Sequence, residues 1–132
     1  MARVSGEPSK VLERIDAEAM LSVAQALIRI PSVNPPGEEA GVAEWLGECL
    51  TRAGLVVEVN EVLPGRPNVL ATAEFGPGGP TLLLNGHTDV VAVGEGWDGD
   101  PFSGAIRDGK LYGRGSADMK GPLAAMIEAL WR

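Results

Sequence analysis

Thr81-Leu82-Leu83-Leu84-Asn85-Gly86-His87-Thr88-Asp89 opens on an apolar run and closes on a polar turn. Apolar side chains at successive positions mark a strand covered on both faces, so residues 81–84 are expected to form the central strand of an α/β layer. In open α/β sheets ligands bind beyond the carboxyl ends of such strands, which puts His87 and Asp89 where chemistry is expected. The two are separated by two positions and point to one face if the chain stays extended, so a carboxylate lies beside the only histidine in the sequence. A metal-bound histidine commonly gives its other ring N–H to a carboxylate, which fixes the tautomer. A capped loop-end histidine beside a solvated Asp89 would read the same way.

Towards the N-terminus, Leu55, Val57 and Val59 alternate with Glu58 and Asn60 and predict a strand over 55–62 with one wet face, followed by a second strand over 68–75. Before them, Ala19, Met20, Val23, Ala26, Leu27 and Ile30 recur at helical spacing, with Asp16 placed to cap the helix and Pro31 to stop it. The segment Pro31-Ser-Val-Asn-Pro-Pro-Gly37 is a rigid turn, and Val42, Trp45, Leu46, Cys49 and Leu50 line a second helix closed by Gly54. Residues 1–15 are expected to be a flexible terminus and 16–132 a single domain.

Towards the C-terminus, Asp108-Gly109 between short apolar ends is the residue choice of a type I′ hairpin turn. Leu123, Met126, Ile127 and Leu130 then predict a third helix, with Pro122 in its first turn. Between them lies Tyr112-Gly-Arg-Gly-Ser-Ala-Asp118-Met-Lys-Gly121, a glycine-rich loop that delivers one carboxylate just ahead of a helix. It is no dinucleotide fingerprint, because Asp118 stands where the third glycine belongs and would repel a pyrophosphate. Gly104-Ala-Ile-Arg-Asp-Gly109-Lys110 fails as a phosphate loop too, since Leu111 replaces the required hydroxyl residue. A carboxylate that repels phosphate suits a cation instead. Glu95, Asp98 and Asp100 add negative field if the fold gathers them nearby, and otherwise form a solvated acidic loop.

Composition narrows the partners. The 132 residues carry 11 Lys+Arg against 18 Asp+Glu, a formal net charge of −7, and the basic residues are scattered singly, which excludes a nucleic-acid or anionic-membrane surface. With 45% hydrophobic and 22% charged residues the chain is globular in composition. One cysteine, Cys49, cannot form an internal disulfide, and no secretory or membrane-spanning pattern is present, so a cytoplasmic protein is expected.

The stretches LLLNGHTDVV, W-DGDPFSG and DGKLYGRGSADMKG, in that order and preceded by IPSVNPPGEE, resemble the N-terminal half of the catalytic domain in the acetylornithine deacetylase, succinyl-diaminopimelate desuccinylase and carboxypeptidase family of co-catalytic zinc hydrolases. The resemblance extends from about Asp16 to Trp131. It implies a partial three-layer αβα sandwich of the α/β class. It also implies His87 as a ligand of one zinc, Asp89 as the catalytic-site carboxylate that orients it, Asp118 as a carboxylate bridging two zinc ions, and a cis peptide at Asp118-Met119. The implied reaction is hydrolysis of an amide bond in an N-acyl amino acid or small peptide by a water activated between two metals, with cobalt or manganese as alternatives to zinc.

The family pattern continues after the bridging aspartate with a Glu-Glu pair, a further acidic ligand and a second histidine; this sequence has no Glu-Glu pair after Asp118 and no histidine besides His87. The resemblance therefore implies an incomplete catalytic domain carrying half of a metal site, without the C-terminal half or the dimerisation domain. Such a chain is expected to associate with itself or with a complementing C-terminal segment. The alternative is a non-catalytic remnant, a small α/β interaction module.

Overall fold

The Asp16 carboxylate accepts hydrogen bonds from the N–H groups of Glu18 and Ala19 at 3.0 and 2.9 Å and so starts helix α1 (Ala17–Arg29) as its residue type foretells. The structure, a computed structural model, describes residues 13–131; most of the flexible terminus expected over 1–15 lies outside the described residues. Helix α1 buries Val23, Ala24, Leu27 and Ile28, and ends where Ile30 turns extended ahead of Pro31. Helix α2 (Ala40–Arg52) buries Val42, Ala43, Leu46, Gly47 and Leu50.

Strands β1 (Val56–Leu63) and β2 (Arg66–Thr72) form an antiparallel hairpin in which Val57 faces Ala71 and Val59 faces Val69. Val57, Val69 and Ala71 pack against the helical core and the rest of the hairpin is largely exposed. A second hairpin joins β3 (Ala105–Arg107) to β4 (Lys110–Tyr112). Asp108 and Gly109 between them take φ of 51° and 71°, the pair of positive angles that the type I′ turn requires. A single wide turn, Ser116–Lys120, then leads directly into helix α3 (Gly121–Leu130), whose Ala124 and Ile127 close the core with Val23, Ala24, Leu27, Val42, Leu46 and Leu50. One hydrophobic core thus ties all three helices to the β1–β2 hairpin.

The α/β class holds, but the central strand does not form. The described residues build two separate two-stranded sheets, and residues 81–84 belong to neither. Leu82 and Leu83 are 80% and 75% exposed, so a run expected to be covered on both faces is bare. The physical reason is the want of neighbours: β1 and β2 pair with each other, and no further strand among the described residues lies beside 81–84 to take up its backbone groups. The second strand also stops at Thr72, leaving Phe75 exposed. No helix of the described residues is long and apolar enough to cross a membrane.

Lys120 is one of the polar or charged residues that the interior buries, with Ser32, Glu39 and Glu128. It is fully buried, its ammonium donates a hydrogen bond to the Ile30 carbonyl at 2.7 Å, and burial lowers its pKa from 10.5 to about 8. The bond ties the turn after β4 to the end of α1. That tie matters because Asp118 sits on the same turn.

Candidate functional site

The site begins at the seam between two loops. Val33 and Val90 form an isolated parallel bridge, in which the Val90 N–H donates to the Ser32 carbonyl and the Asn34 N–H to the Val90 carbonyl, both at 2.9 Å. The Ser32 hydroxyl adds a bond to the Thr88 carbonyl at 2.7 Å. The rigid turn after α1 therefore grips the chain just beyond His87. From the other side the glycine-rich loop closes in, with Gly115 packed so tightly against Val90 that a Cβ there would lie 2.6 Å from the valine methyl.

These two supports bring His87, Asp89 and Asp118 together. The imidazole Nδ1 lies 3.1 Å from Asp89 Oδ1 and 3.1 Å from the Asp89 carbonyl oxygen. On the opposite edge Nε2 lies 2.9 Å from Asp118 Oδ1. The Asp118-Met119 peptide is cis. Met119 sends its sulfur back to the His87 N–H at 3.3 Å, so the turn holding Asp118 is also seated against the loop holding His87.

Acceptors face both ring nitrogens, and this decides the electrostatics. Partial burial works against a charged imidazole, but the hydrogen bonds and charges of Asp118 and Asp89 outweigh it, and the His87 pKa is raised. The Asp89 pKa is lowered, first by the hydrogen bond it accepts from Asn34 and further by the His87 charge, with burial opposing. Asn34 Nδ2 donates to Asp89 Oδ2 at 2.9 Å. Behind this group Arg66 is held by the buried Glu39, with Nη2 to Oε1 at 2.6 Å, and its charge is felt at Asp89 without a direct bond.

A neutral imidazole nitrogen opposite a carboxylate oxygen at 2.9 Å leaves two lone pairs facing each other unless a proton or a metal cation lies between them. The His87–Asp118 edge can accept either. Among the described residues, however, no group of three His, Cys, Asp or Glu side chains is placed to hold a metal ion. The donors present fit part of a coordination shell, short of the three protein ligands of a catalytic zinc. Glu95, Asp98 and Asp100 do not join them. They line a separate cleft of about 500 Å³ with Trp97, Arg107 and Tyr112, where Asp98 pairs with Arg107 at 3.0 Å.

Asn34, Ser32 and Arg66 were not singled out in the sequence as site residues. Ser32 and Asn34 lie in the turn 31–37, whose proximity to residues 88–90 is a long-range contact with no local signature, and Arg66 comes from the start of β2.

The chain is similar to known proteins in sequence and in fold. Residues 83–132 match the peptidase family M20/M25/M40. The chain is 47% identical over 117 residues to a succinyl-diaminopimelate desuccinylase of Methylobacterium radiotolerans, covering 85% of this chain and 29% of the relative. It is 50% identical over 115 residues to the corresponding protein of Methylorubrum extorquens, again covering 29% of it. The chain thus spans less than a third of the length of these curated relatives. The crystal structure of human carnosine dipeptidase 1 superposes with a TM-score of 0.80 at 28% identity, over 93% of this chain and 31% of that one. The chain is thus similar over residues 83–132 to peptidase family M20/M25/M40, along most of its length to succinyl-diaminopimelate desuccinylases, and in fold to carnosine dipeptidase 1.

Proposed function

We propose that this chain supplies part of the active site of a metal-dependent amide hydrolase acting on an N-acyl amino acid or small peptide. The observation that carries the reading is the His87 ring, set between Asp89 on one nitrogen and Asp118 on the other. Asp89 and its backbone carbonyl accept the hydrogen bond from Nδ1–H, which leaves Nε2 as the ligand atom towards a cation. The Asp118 side chain is 86% exposed, so its carboxylate is open to a second cation on its outer side. His87 and Asp118 would hold zinc, or cobalt or manganese in its place, with Asp89 orienting the imidazole. Two such ions supply Lewis acidity towards an amide carbonyl and lower the pKa of water enough for attack near neutral pH.

In this reading the remaining metal ligands and the general base belong to sequence other than these 132 residues. The exposed run at 82–84 is then the surface for a complementing segment or, failing that, for a second copy of the chain. A small α/β interaction module is the second reading, favoured by the convergence of only two metal donors. A calorimetric zinc titration of the chain, with His87→Ala and Asp118→Ala beside it, separates the two. Saturable binding lost in both variants is the expected result. No binding, or binding indifferent to both substitutions, would overturn the metal-site reading.

A further inference from the structure

We propose that Asn34 is a positioning residue for the His87 site, fixing the Asp89 carboxylate so that it accepts a hydrogen bond from the Nδ1–H of His87 and leaves Nε2 bare towards Asp118. The inference rests on the reading of His87 and Asp118 as metal donors and assigns the group that prepares one of them. Asp89 is held at both oxygens: Oδ2 accepts from Asn34 Nδ2 at 2.9 Å, and Oδ1 faces His87 Nδ1 at 3.1 Å. A carboxylate with a donor on each oxygen has its plane set. Arg66, whose charge reaches Asp89, is already engaged by Glu39 through Nε and Nη2, and among the described residues no hydrogen bond joins it to Asp89.

Asn34 is itself held. Its N–H donates to the Val90 carbonyl, it follows directly on the Val33–Val90 bridge, and its side chain is partly buried. The amide is thus delivered from a fixed backbone, as a group that must orient a second residue needs to be. Without it the Asp89 carboxylate is free to turn towards solvent. The competing tautomer, with the proton on Nε2 donated to Asp118, then loses the part of its disadvantage that the carboxylate supplies, the Asp89 carbonyl remaining 3.1 Å from Nδ1. That tautomer presents no lone pair to a cation at Nε2.

His87 is the only histidine in the chain, so its ring signals are read without ambiguity. The test is nitrogen-15 NMR of the histidine-labelled, metal-free full chain at a pH where the ring is neutral, followed by zinc calorimetry. The wild type is expected to be mainly the Nδ1–H tautomer. Asn34→Ala and the nearly isosteric Asn34→Asp, which puts an acceptor where the donor was, are expected to shift the ring towards Nε2–H and weaken zinc binding about tenfold. Ser32→Ala loosens the same seam through the Thr88 carbonyl but leaves the Asp89 carboxylate untouched, and is expected to keep the wild-type tautomer. An unchanged tautomer in Asn34→Asp, or an equal shift in Ser32→Ala, would overturn the assignment. If the tautomer shifts as expected while no form of the chain binds zinc, Asn34 keeps its positioning role and the metal-site reading falls alone.

Discussion

Leu82 and Leu83 stand 80% and 75% exposed, whereas Val90, a few residues further along, is buried and bonded through both its N–H and its carbonyl to the Ser32–Asn34 segment. The residue types do not explain the difference, since leucine is as apolar as valine. What separates the two regions is a tertiary partner. The turn after α1 and the Gly113–Gly115 loop brace residues 88–90 from two sides, and no strand among the described residues does the same for 81–84. His87 lies on the boundary, so its geometry is set from the braced side, by Asp89 and by the turn that carries Asp118 and Met119.

The largest expected effect tests that contrast directly. Leu27 is fully buried between the helices, and Leu27→Ala should cost about 2–5 kcal/mol in urea unfolding. Leu83→Ala should stay within about 0.5 kcal/mol, because the side chain has nothing to lose. A cost for Leu83→Ala close to that for Leu27→Ala would mean that the run is covered in solution. Sedimentation would then show whether a second copy of the chain covers it.

Lys120 sharpens the comparison from the braced side. Its folded pKa, about 8, lies below the ordinary 10.5, so between those values the unfolded chain binds more protons than the folded one. Stability therefore rises with pH across that window, by on the order of 3 kcal/mol in all. Unfolding midpoints measured from pH 7 to pH 10.5 should show the rise in the wild type and not in Lys120→Met. The same slope in both would place the titration elsewhere, and the Lys120–Ile30 tie would not be the closed contact it is drawn as.

The boundary between the two regions is also where sequence reading ran out. The helices were legible because their apolar positions repeat at three and four residues and their ends carry local chemistry: the Asp16 cap, Pro31, Gly54 and Pro122. The Asp108-Gly109 turn was legible for the same reason, as two residues suffice to specify it. The pairing of His87 with Asp89 followed from their spacing; Asp118 was marked by its glycine-rich loop as a carboxylate suited to a cation, and its partnership with His87 entered through resemblance. The bareness of 81–84 and the grip of Asn34 were not legible, because each depends on which distant segment lies alongside. An apolar run states a demand for neighbours and is silent on whether they are present.

Two glycines with nearly the same backbone give the finest test. Gly115, in the braced loop, and Gly96, in the exposed stretch, both take left-handed φ, 83° and 88°, so an alanine at either pays a similar conformational cost of about 1 kcal/mol. Around Gly96 a Cβ meets nothing within 4 Å, while at Gly115 it would lie 2.6 Å from Val90 Cγ1 and 3.3 Å from Lys120 Cδ. Gly115→Ala should therefore exceed Gly96→Ala by about 1–2 kcal/mol in urea unfolding, the excess being overpacking alone. It should also disturb the His87 ring signal, since the displaced Val90 carries the backbone bonds that hold Asn34 beside Asp89. Equal costs and an undisturbed ring would mean that the loop yields freely, and the brace around residues 88–90 would then rest on the Ser32–Asn34 side alone.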